Sequence, residues 1–150
     1  MADFMVPRRV EAPDDNKNMG GENRPGVLIV DDDAVVRRFC CVALERSGYR
    51  TFAASDAEEC LQFLKSNGDP VRLVLLDIHM PGRTGLDILH EIRRLRPSAV
   101  VVAMSGLGDP RLGPAVESGS IHSFLMKPFT VSDLCSTVGK CLSCTPSART

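Results

Sequence analysis

The chain contains no tryptophan and one tyrosine, and aromatic residues make up only 5% of its 150 residues. An excess of one charge is also lacking, because 18 basic and 19 acidic side chains leave a net charge of −1. A near-neutral chain gives no electrostatic reason to expect direct binding to nucleic acid or to an anionic membrane.

Long apolar runs are absent as well. No stretch approaches the ~20 apolar residues that a membrane helix needs, and Met1–Phe4 lacks the charged-then-apolar pattern of a secretion signal. We therefore expect a cytoplasmic protein.

The cysteines agree with a reducing compartment. Four of the six, Cys40, Cys41, Cys60 and Cys135, stand among apolar residues at helical spacing, as buried thiols do.

Composition divides the chain into an ordered centre and two tails. Residues 1–25 hold prolines, glycines and polar residues without apolar periodicity, which predicts a flexible N-terminal arm. Residues 26–143 form one domain, and residues 144–150 are predicted to be a flexible tail.

Cys141 and Cys144 make a C-x-x-C pair where the last helix meets this tail. Without a second pair, a zinc or redox role is a minor alternative.

Five short apolar runs alternate with helical patterns in the central domain. The runs lie at residues 27–30, 49–53, 73–76, 99–103 and 121–126. Candidate helix caps are Asp33, Ser55 (in a capping box with Glu58), Thr84 and Thr130, and a short helix is expected around residues 113–118. Alternation of this kind predicts an α/β, doubly wound parallel sheet of five strands with five helices.

On the first helix, apolar residues recur at near-helical spacing. Val35, Phe39, Val42 and Leu44 are therefore predicted to face the core, and Gly48 to end the helix.

Reactive side chains follow four of the apolar runs. Asp31, Asp32 and Asp33 follow the first, Asp77 the third, Ser105 the fourth and Lys127 the fifth. In doubly wound sheets, ligands bind beyond the carboxyl ends of the strands, where the strand order reverses. The sequence therefore predicts one site built from four separated segments.

The acids among these residues favour a hard cation. Clustered carboxylates repel unless a proton or a cation neutralises them, and Mg²⁺ prefers oxygen ligands. We expect Asp31 and Asp32 to serve a Mg²⁺ site, whereas Asp33 is better explained as a helix cap. Asp77 as nucleophile, with Lys127 and Ser105 contacting phosphoryl oxygens, would suit phosphoryl transfer to a carboxylate.

Four motifs in this order resemble the receiver domain of two-component response regulators. They are Val27-Leu28-Ile29-Val30-Asp31-Asp32-Asp33, Leu75-Leu76-Asp77-Ile78-His79-Met80-Pro81-Gly82, Met104-Ser105-Gly106 and Lys127-Pro128-Phe129. The resemblance spans about residues 26–143 and implies a flavodoxin-like sheet with strand order 2-1-3-4-5. It departs from many receivers at Thr84, where an acid is common before the glycine, and we expect little effect because threonine also caps a helix.

The resemblance implies a role for each site residue. Asp77 would accept phosphate from a phosphohistidine on a sensor histidine kinase or a histidine phosphotransfer protein. Asp32, Asp77 and the backbone carbonyl of His79 would ligate Mg²⁺, and Asp31 would ligate it through a water or directly. Ser105 and Lys127 would contact the phosphoryl group.

The resemblance also implies an output. Phe124 matches the switch aromatic that moves together with Ser105, although plain core packing explains it almost as well. The surface of the fourth helix, fifth strand and last helix would change its binding to an output protein that the sequence does not identify. Since no DNA-binding module follows in the sequence, a stand-alone receiver is expected, a phosphoacceptor rather than an enzyme with a separate substrate.

Two other functions remain open. Asp31-Asp32-Asp33-Ala34-Val35 also fits the D-x-D-x-V signature of haloacid-dehalogenase-like phosphatases, with Asp31 as nucleophile and Asp33 as acid/base. That family needs an acidic pair after the lysine, and only Asp133 follows here. The second alternative is an interaction module that works without phosphate, which the intact acids, hydroxyl and lysine disfavour.

Overall fold

A computed structural model describes residues 24–66, 71–106 and 110–144. The strands are β1 (Gly26–Val30), β2 (Arg50–Ala54), β3 (Val71–Asp77), β4 (Val100–Ser105) and β5 (Ser123–Met126). The helices are α1 (Ala34–Arg46), α2 (Ala57–Ser66), α3 (Gly85–Leu95), α4 (Leu112–Glu117) and α5 (Val131–Cys144). Predicted features of residues 1–23 and 145–150 lie outside the described residues.

The five strands form one parallel sheet in the order β2-β1-β3-β4-β5. This confirms the predicted fold class and strand order. The order reverses between β1 and β3, so the crevice that accepts ligands in doubly wound folds opens beyond the carboxyl ends of these two strands. In the described ranges, no helix is both long enough and apolar enough to cross a membrane.

Helices cover both faces of the sheet, and each face has its own apolar core. One core joins the sheet to α2, α3 and α4, and the other joins it to α1 and α5. Because β1 is buried on both faces, all five of its residues are apolar or glycine. Cys40, Cys41 and Cys60 are buried thiols as predicted, whereas Cys135 is half-buried. Burial raises the pKa of Cys40 and of Cys60 to about 12, which favours the protonated thiol over the nucleophilic thiolate.

The predicted N-terminal caps of α1 and α3 are confirmed, and the capping box of α2 lies one residue later than predicted. Asp33 caps α1 by accepting a hydrogen bond from the Val35 N–H at 2.9 Å, and Thr84 caps α3. The capping box predicted at Ser55 is displaced by one residue, because Asp56 accepts the Glu59 N–H at 2.8 Å. Glu59, rather than the predicted Glu58, reaches back and accepts the Ser55 N–H at 2.6 Å.

The prediction for the inner face of α1 was partly wrong. Leu44 is fully buried, but Val35 is 75% exposed and Phe39 is 37% exposed. The residues that α1 buries are Cys40, Cys41, Ala43, Leu44 and Glu45. The two cysteines carry the packing that was assigned to the larger side chains, so an apolar stripe is left on the outer side of α1.

The boundary of the N-terminal arm also differs from the prediction. Arg24 and Pro25, which were assigned to the arm, pack against the domain. Arg24 is 7% exposed and its guanidinium lies 3.8 Å from the Glu45 carboxylate, and the Pro25 carbonyl accepts the Arg50 N–H at 2.9 Å. Glu45 also accepts the N–H and the hydroxyl of Thr51. The chain therefore enters the domain beside the C-terminal end of α1.

Gly85 allows the first turn of α3 to pack against the end of β3. A Cβ atom at this position would lie 2.5 Å from the Asp77 carbonyl oxygen and 2.8 Å from the Leu76 side chain. We expect Gly85→Ala to lower the free energy of unfolding by about 1–3 kcal/mol, because the backbone must move to relieve the overlap. Urea denaturation measures the difference.

Gly139→Ala is the matched control for Gly85→Ala. Gly139 lies inside α5, and an added Cβ would meet only the Tyr49 hydroxyl at 3.8 Å, an ordinary contact. Alanine should stabilise this helix by up to about 1 kcal/mol. Equal stability of the two alanine variants would contradict the close approach at Gly85.

Candidate phosphoacceptor site

The four reactive segments meet at one edge of the sheet. Asp31 follows β1, Asp77 ends β3, Ser105 ends β4 and Lys127 follows β5. The register aligns these ends, since Asp77 pairs with Met104 and Ser105 pairs with Met126. The Lys127 N–H donates to the Ser105 carbonyl at 2.7 Å, which fixes the start of the loop after β5.

Lys127 connects two buried carboxylates. Its ammonium lies 2.8 Å from Asp31 Oδ2 and 3.5 Å from Asp77 Oδ2. Asp31 is fully buried, Asp77 is 2% exposed, and the Lys127 side chain keeps 25% of its surface accessible. Solvent therefore reaches the Lys127 side chain more readily than either acid. The two buried acids thus share one partly exposed cation.

Backbone groups orient both acids. The Asp33 N–H donates to Asp31 Oδ1 at 2.9 Å, and the His79 N–H donates to Asp77 Oδ1 at 3.0 Å. In both acids the other oxygen, Oδ2, is the one that faces the Lys127 ammonium. The local turns thus fix which carboxylate oxygen points into the pocket.

Burial and neighbouring charges shift the pKa values of Asp77 and Lys127. Burial raises the pKa of the Asp77 carboxyl from 3.8 to about 6, the Asp31 charge adds to the rise, and the His79 N–H and Lys127 oppose it. Burial lowers the pKa of the Lys127 ammonium, but the hydrogen bond to Asp31 and the charges of Asp77 and Asp31 outweigh it and leave that pKa raised. The pocket has one cation too few for its acids, which is the electrostatic condition that favours a further cation.

Three carboxylates could hold that cation. One oxygen from each of Asp31, Asp32 and Asp77 lies within 4.8 Å of the others, and Asp32 is exposed while its two neighbours are buried. An all-oxygen set of this size suits Mg²⁺, which keeps several waters and takes few carboxylates. The residues therefore fit the metal predicted from the sequence.

Two more predicted residues sit close to this pocket. Ser105 is 3% exposed at the end of β4, on the same edge as Asp77. Phe124 lies one strand away in β5, pairs with Ala103 and is 48% exposed. The Phe124 ring is therefore not a core side chain in this conformation, which weakens the packing interpretation.

Arg37 is a site residue that the sequence reading missed. Its guanidinium donates to the Asp31 backbone carbonyl at 2.8 Å and so ties α1 to the turn that carries the acids. An arginine one helical turn after an acid cluster was the available indication, but its target is a backbone atom that the sequence cannot reveal.

This arrangement defines a class of protein. A doubly wound sheet with buried acids, a lysine and a serine at its switch point is the framework of a phosphate-accepting signalling domain. The family model of the response regulator receiver domain matches residues 27–139. The chain belongs to the receiver domain family of two-component response regulators.

Individual relatives agree with this assignment. Two-component response regulator ARR6 of Arabidopsis thaliana is 33% identical over 146 residues, which cover 89% of this chain and 78% of that protein. Transcriptional regulatory protein AruR of Pseudomonas aeruginosa is 40% identical over 88 residues, or 57% of this chain. The chain matches about a third of the length of AruR (36%) and 12% of sensor kinase CckA of Brucella abortus.

Solved structures give the same fold. A CheY-like receiver domain from Methanospirillum hungatei superimposes with a TM-score of 0.74 at 26% identity, over 80% of this chain and 94% of that one. The receiver domain of an HD domain-containing protein from Pseudomonas fluorescens also gives 0.74, at 29% identity over 84% and 92%.

Proposed function

We propose that the chain is a receiver whose Asp77 accepts a phosphoryl group from a phosphohistidine, on a sensor histidine kinase or a phosphotransfer protein, and that this switches a protein-binding surface. The observation that carries the proposal is the contact of the Lys127 ammonium with Asp77 at 3.5 Å and Asp31 at 2.8 Å. A lysine that bridges a nucleophile and a second acid can exchange one contact for a phosphoryl oxygen.

The transfer itself needs little from the protein beyond position and charge. An Asp77 oxygen bonds to phosphorus, the bond from phosphorus to the donor imidazole breaks, and its electron pair returns to the ring nitrogen. Lys127 would hold one phosphoryl oxygen, and the Ser105 hydroxyl would hold another. The His79 N–H keeps the second Asp77 oxygen turned away from the reaction, because it donates to Oδ1 at 3.0 Å.

The metal would be held by the Asp31, Asp32 and Asp77 carboxylates together with the His79 carbonyl. When bound, Mg²⁺ supplies positive charge that neutralises both the acids and the incoming phosphoryl oxygens. With the ion in place, the pocket would carry enough positive charge to receive a second anionic group.

Phe124 and Ser105 would carry the signal to the partner surface. We propose that Ser105 moves toward the phosphoryl group and that Phe124, 48% exposed here, turns into the space that is released. Val116 and Met126, which are 38% and 56% exposed, lie on the neighbouring α4 and β5. Their environment would change with the ring, so phosphorylation would alter an apolar surface that an output protein can recognise.

The deciding experiment is phosphotransfer from a radiolabelled phosphohistidine donor in the presence of Mg²⁺. The proposal expects label on the chain that hydroxylamine removes, because an acyl phosphate is cleaved by this nucleophile. Absence of label from every histidine kinase and phosphotransfer donor tried, together with absence of label from acetyl phosphate, would overturn it. Label confined to Asp31 would instead favour the haloacid-dehalogenase-like reading.

Magnesium alone should stabilise the protein. Because Asp31 and Asp77 are buried with a single lysine between them, the bound ion relieves repulsion in the folded state only. A ligand at ten times its Kd adds about 1.4 kcal/mol to the free energy of unfolding. Thermal melting over millimolar MgCl₂ measures the effect.

Two substitutions that each neutralise one acidic side chain test whether the stabilisation by Mg²⁺ comes from the clustered carboxylates. Asp32→Asn should weaken the rise in melting temperature, because Asp32 is one of the three clustered carboxylates. Glu117→Gln, on the exposed side of α4, should leave the rise unchanged. A melting temperature independent of Mg²⁺ in the parent chain would count against the metal site.

A further inference from the structure

The start of β5 is held by a histidine ring as well as by the main chain. β5 is a four-residue edge strand whose neighbour in the sheet is β4. One residue before β5, the His122 N–H donates to the Val101 carbonyl at 2.8 Å, and the Val101 N–H donates to the imidazole Nδ1 of His122 at 3.1 Å. The side chain of His122 therefore takes part in the pairing of the two strands.

The imidazole replaces a backbone acceptor that the chain does not supply at this point. In a regular parallel ladder, the Val101 N–H would donate to a carbonyl of the neighbouring strand. The chain before His122 instead turns back toward α4, because the N–H groups of Ser120 and Ile121 both donate to the Ala115 carbonyl, at 3.0 and 3.1 Å. Val101 is fully buried, so its N–H depends on an acceptor from the protein.

Only the neutral imidazole can accept this hydrogen bond. Neutral His122 must carry its proton on Nε2 and leave Nδ1 as the acceptor, whereas an imidazolium carries protons on both nitrogens and accepts nothing. Because His122 is an exposed residue, protons from solvent can reach the ring. An added proton would set two donors against each other and leave the buried Val101 N–H without its acceptor.

The surroundings of His122 also favour the neutral ring. Partial burial lowers the pKa of His122, the Arg93 guanidinium of α3 lowers it further, and the Val101 backbone opposes the fall. Arg93 is held in place because it donates to the Ala99 carbonyl, just before β4, at 3.1 Å. Neither β4 nor β5 carries an ionisable side chain between its described ends, and α4 carries Glu117 at its exposed C-terminal end.

We propose that His122 is a pH-sensitive anchor, which holds the start of β5 against β4 while its ring is neutral and releases it when acid protonates the ring. The other end of β5 is held separately, because the Lys127 N–H donates to the Ser105 carbonyl at 2.7 Å. Release would therefore loosen Phe124, the second residue of β5, more than Lys127. The anchor does not depend on phosphorylation of Asp77, and it makes the exposed surface of α4 and β5 respond to acidification.

Thermal melting of the full-length chain at different pH values tests the anchor. The unfolded chain binds a proton at His122 near pH 6.5 and the folded chain resists it, so the stabilisation is complete above this pH and is lost as the pH falls below it. Between about pH 7.5 and pH 5, the melting temperature of the parent chain should fall by about 4 °C more than that of His122→Asn. Asparagine places a carbonyl oxygen as many bonds from the backbone as Nδ1, and it does not titrate.

Two further variants serve as controls for His122→Asn. His90→Asn, at an exposed position of α3, should keep the parental response to pH. His122→Ala, which has no side-chain acceptor at any pH, should melt below His122→Asn at neutral pH and show the same reduced dependence on pH. Asp77 is unchanged in all four chains, so its own titration cancels in the comparison. An identical pH dependence in the parent chain and in His122→Asn would overturn the proposal.

Nuclear magnetic resonance of the folded chain measures the anchor directly. At neutral pH the proton of the His122 ring should reside on Nε2, as the ring nitrogen shifts report. When acid is added, the amide signals of Val101 and Phe124 should shift with the same midpoint as the ring, and His122→Asn should lack this step. A proton on Nδ1 at neutral pH, or a Phe124 signal that titrates equally in His122→Asn, would overturn the proposal.

Discussion

Asp77→Asn is expected to abolish the acyl phosphate label completely. The amide oxygen can still accept the His79 N–H that now binds Asp77 Oδ1 at 3.0 Å, so the fold of the turn is retained. What is lost is the nucleophilic carboxylate and one of the three clustered acids. Labelling from a phosphohistidine donor, followed by gel autoradiography, measures the result.

Asp77→Asn should also stabilise the protein when Mg²⁺ is absent. Burial disfavours the ionised form of this carboxyl in the folded state and raises its pKa to about 6. Removing the charge should add on the order of 1–3 kcal/mol to the free energy of unfolding. A variant that is inactive yet more stable would show that lost activity does not come from misfolding.

Labelling of two other variants distinguishes a receiver from a haloacid-dehalogenase-like phosphatase. Glu117→Gln, an exposed change on α4, should label like the parent chain. Asp31→Asn should still accept phosphate at Asp77, although more slowly, because Lys127 loses its contact at 2.8 Å. Full labelling of Asp77→Asn with none of Asp31→Asn is the pattern expected of a haloacid-dehalogenase-like enzyme.

Lys127→Met should slow phosphotransfer by about 10²–10³-fold, the cost typical of removing one preorganised charge contact from a transition state. Methionine keeps most of the length of the side chain but removes the ammonium that lies 3.5 Å from Asp77. Single-turnover transfer from a saturating donor measures the chemical step. Lys140→Met, an exposed lysine on α5, provides the matched control.

Lys127→Met should also destabilise the protein in the absence of metal. Asp31 is fully buried and would lose its cationic partner, and breaking a buried ion pair from one side costs about 3–5 kcal/mol. Mg²⁺ should recover much of this loss, because it supplies positive charge to the same carboxylates. A variant with parental stability and parental transfer rate would show that the lysine is only a surface residue.

The sequence predicted the sheet because its strands are short and apolar throughout. A run such as Val27–Val30 is typical of a strand that is buried on both faces of a parallel sheet, and all four residues are fully buried. The reactive residues were predictable for the same reason, since each ends or directly follows an apolar strand. Parallel strands bring their carboxyl ends to one edge, and the Lys127 contacts with Asp31 and Asp77 are the result.

Features that depend on side-chain competition were not predictable in this way. The sequence pattern placed Val35 and Phe39 inside, but the smaller Cys40 and Cys41 occupy the space between α1 and the sheet. Apolar spacing alone does not show which of two neighbouring stripes is buried. Arg37 was missed because its partner is the Asp31 backbone carbonyl, and backbone acceptors have no signature in the sequence.

The three clustered acids differ in solvent exposure, and this difference affects how quickly a metal ion can exchange. Asp32 is exposed, whereas Asp31 and Asp77 are buried. An ion that arrives can meet Asp32 first while it keeps part of its hydration shell, and it can leave by the same route. Occupancy would then follow the surrounding concentration of free magnesium from moment to moment, so the chain would need no dedicated loading step before each new stimulus.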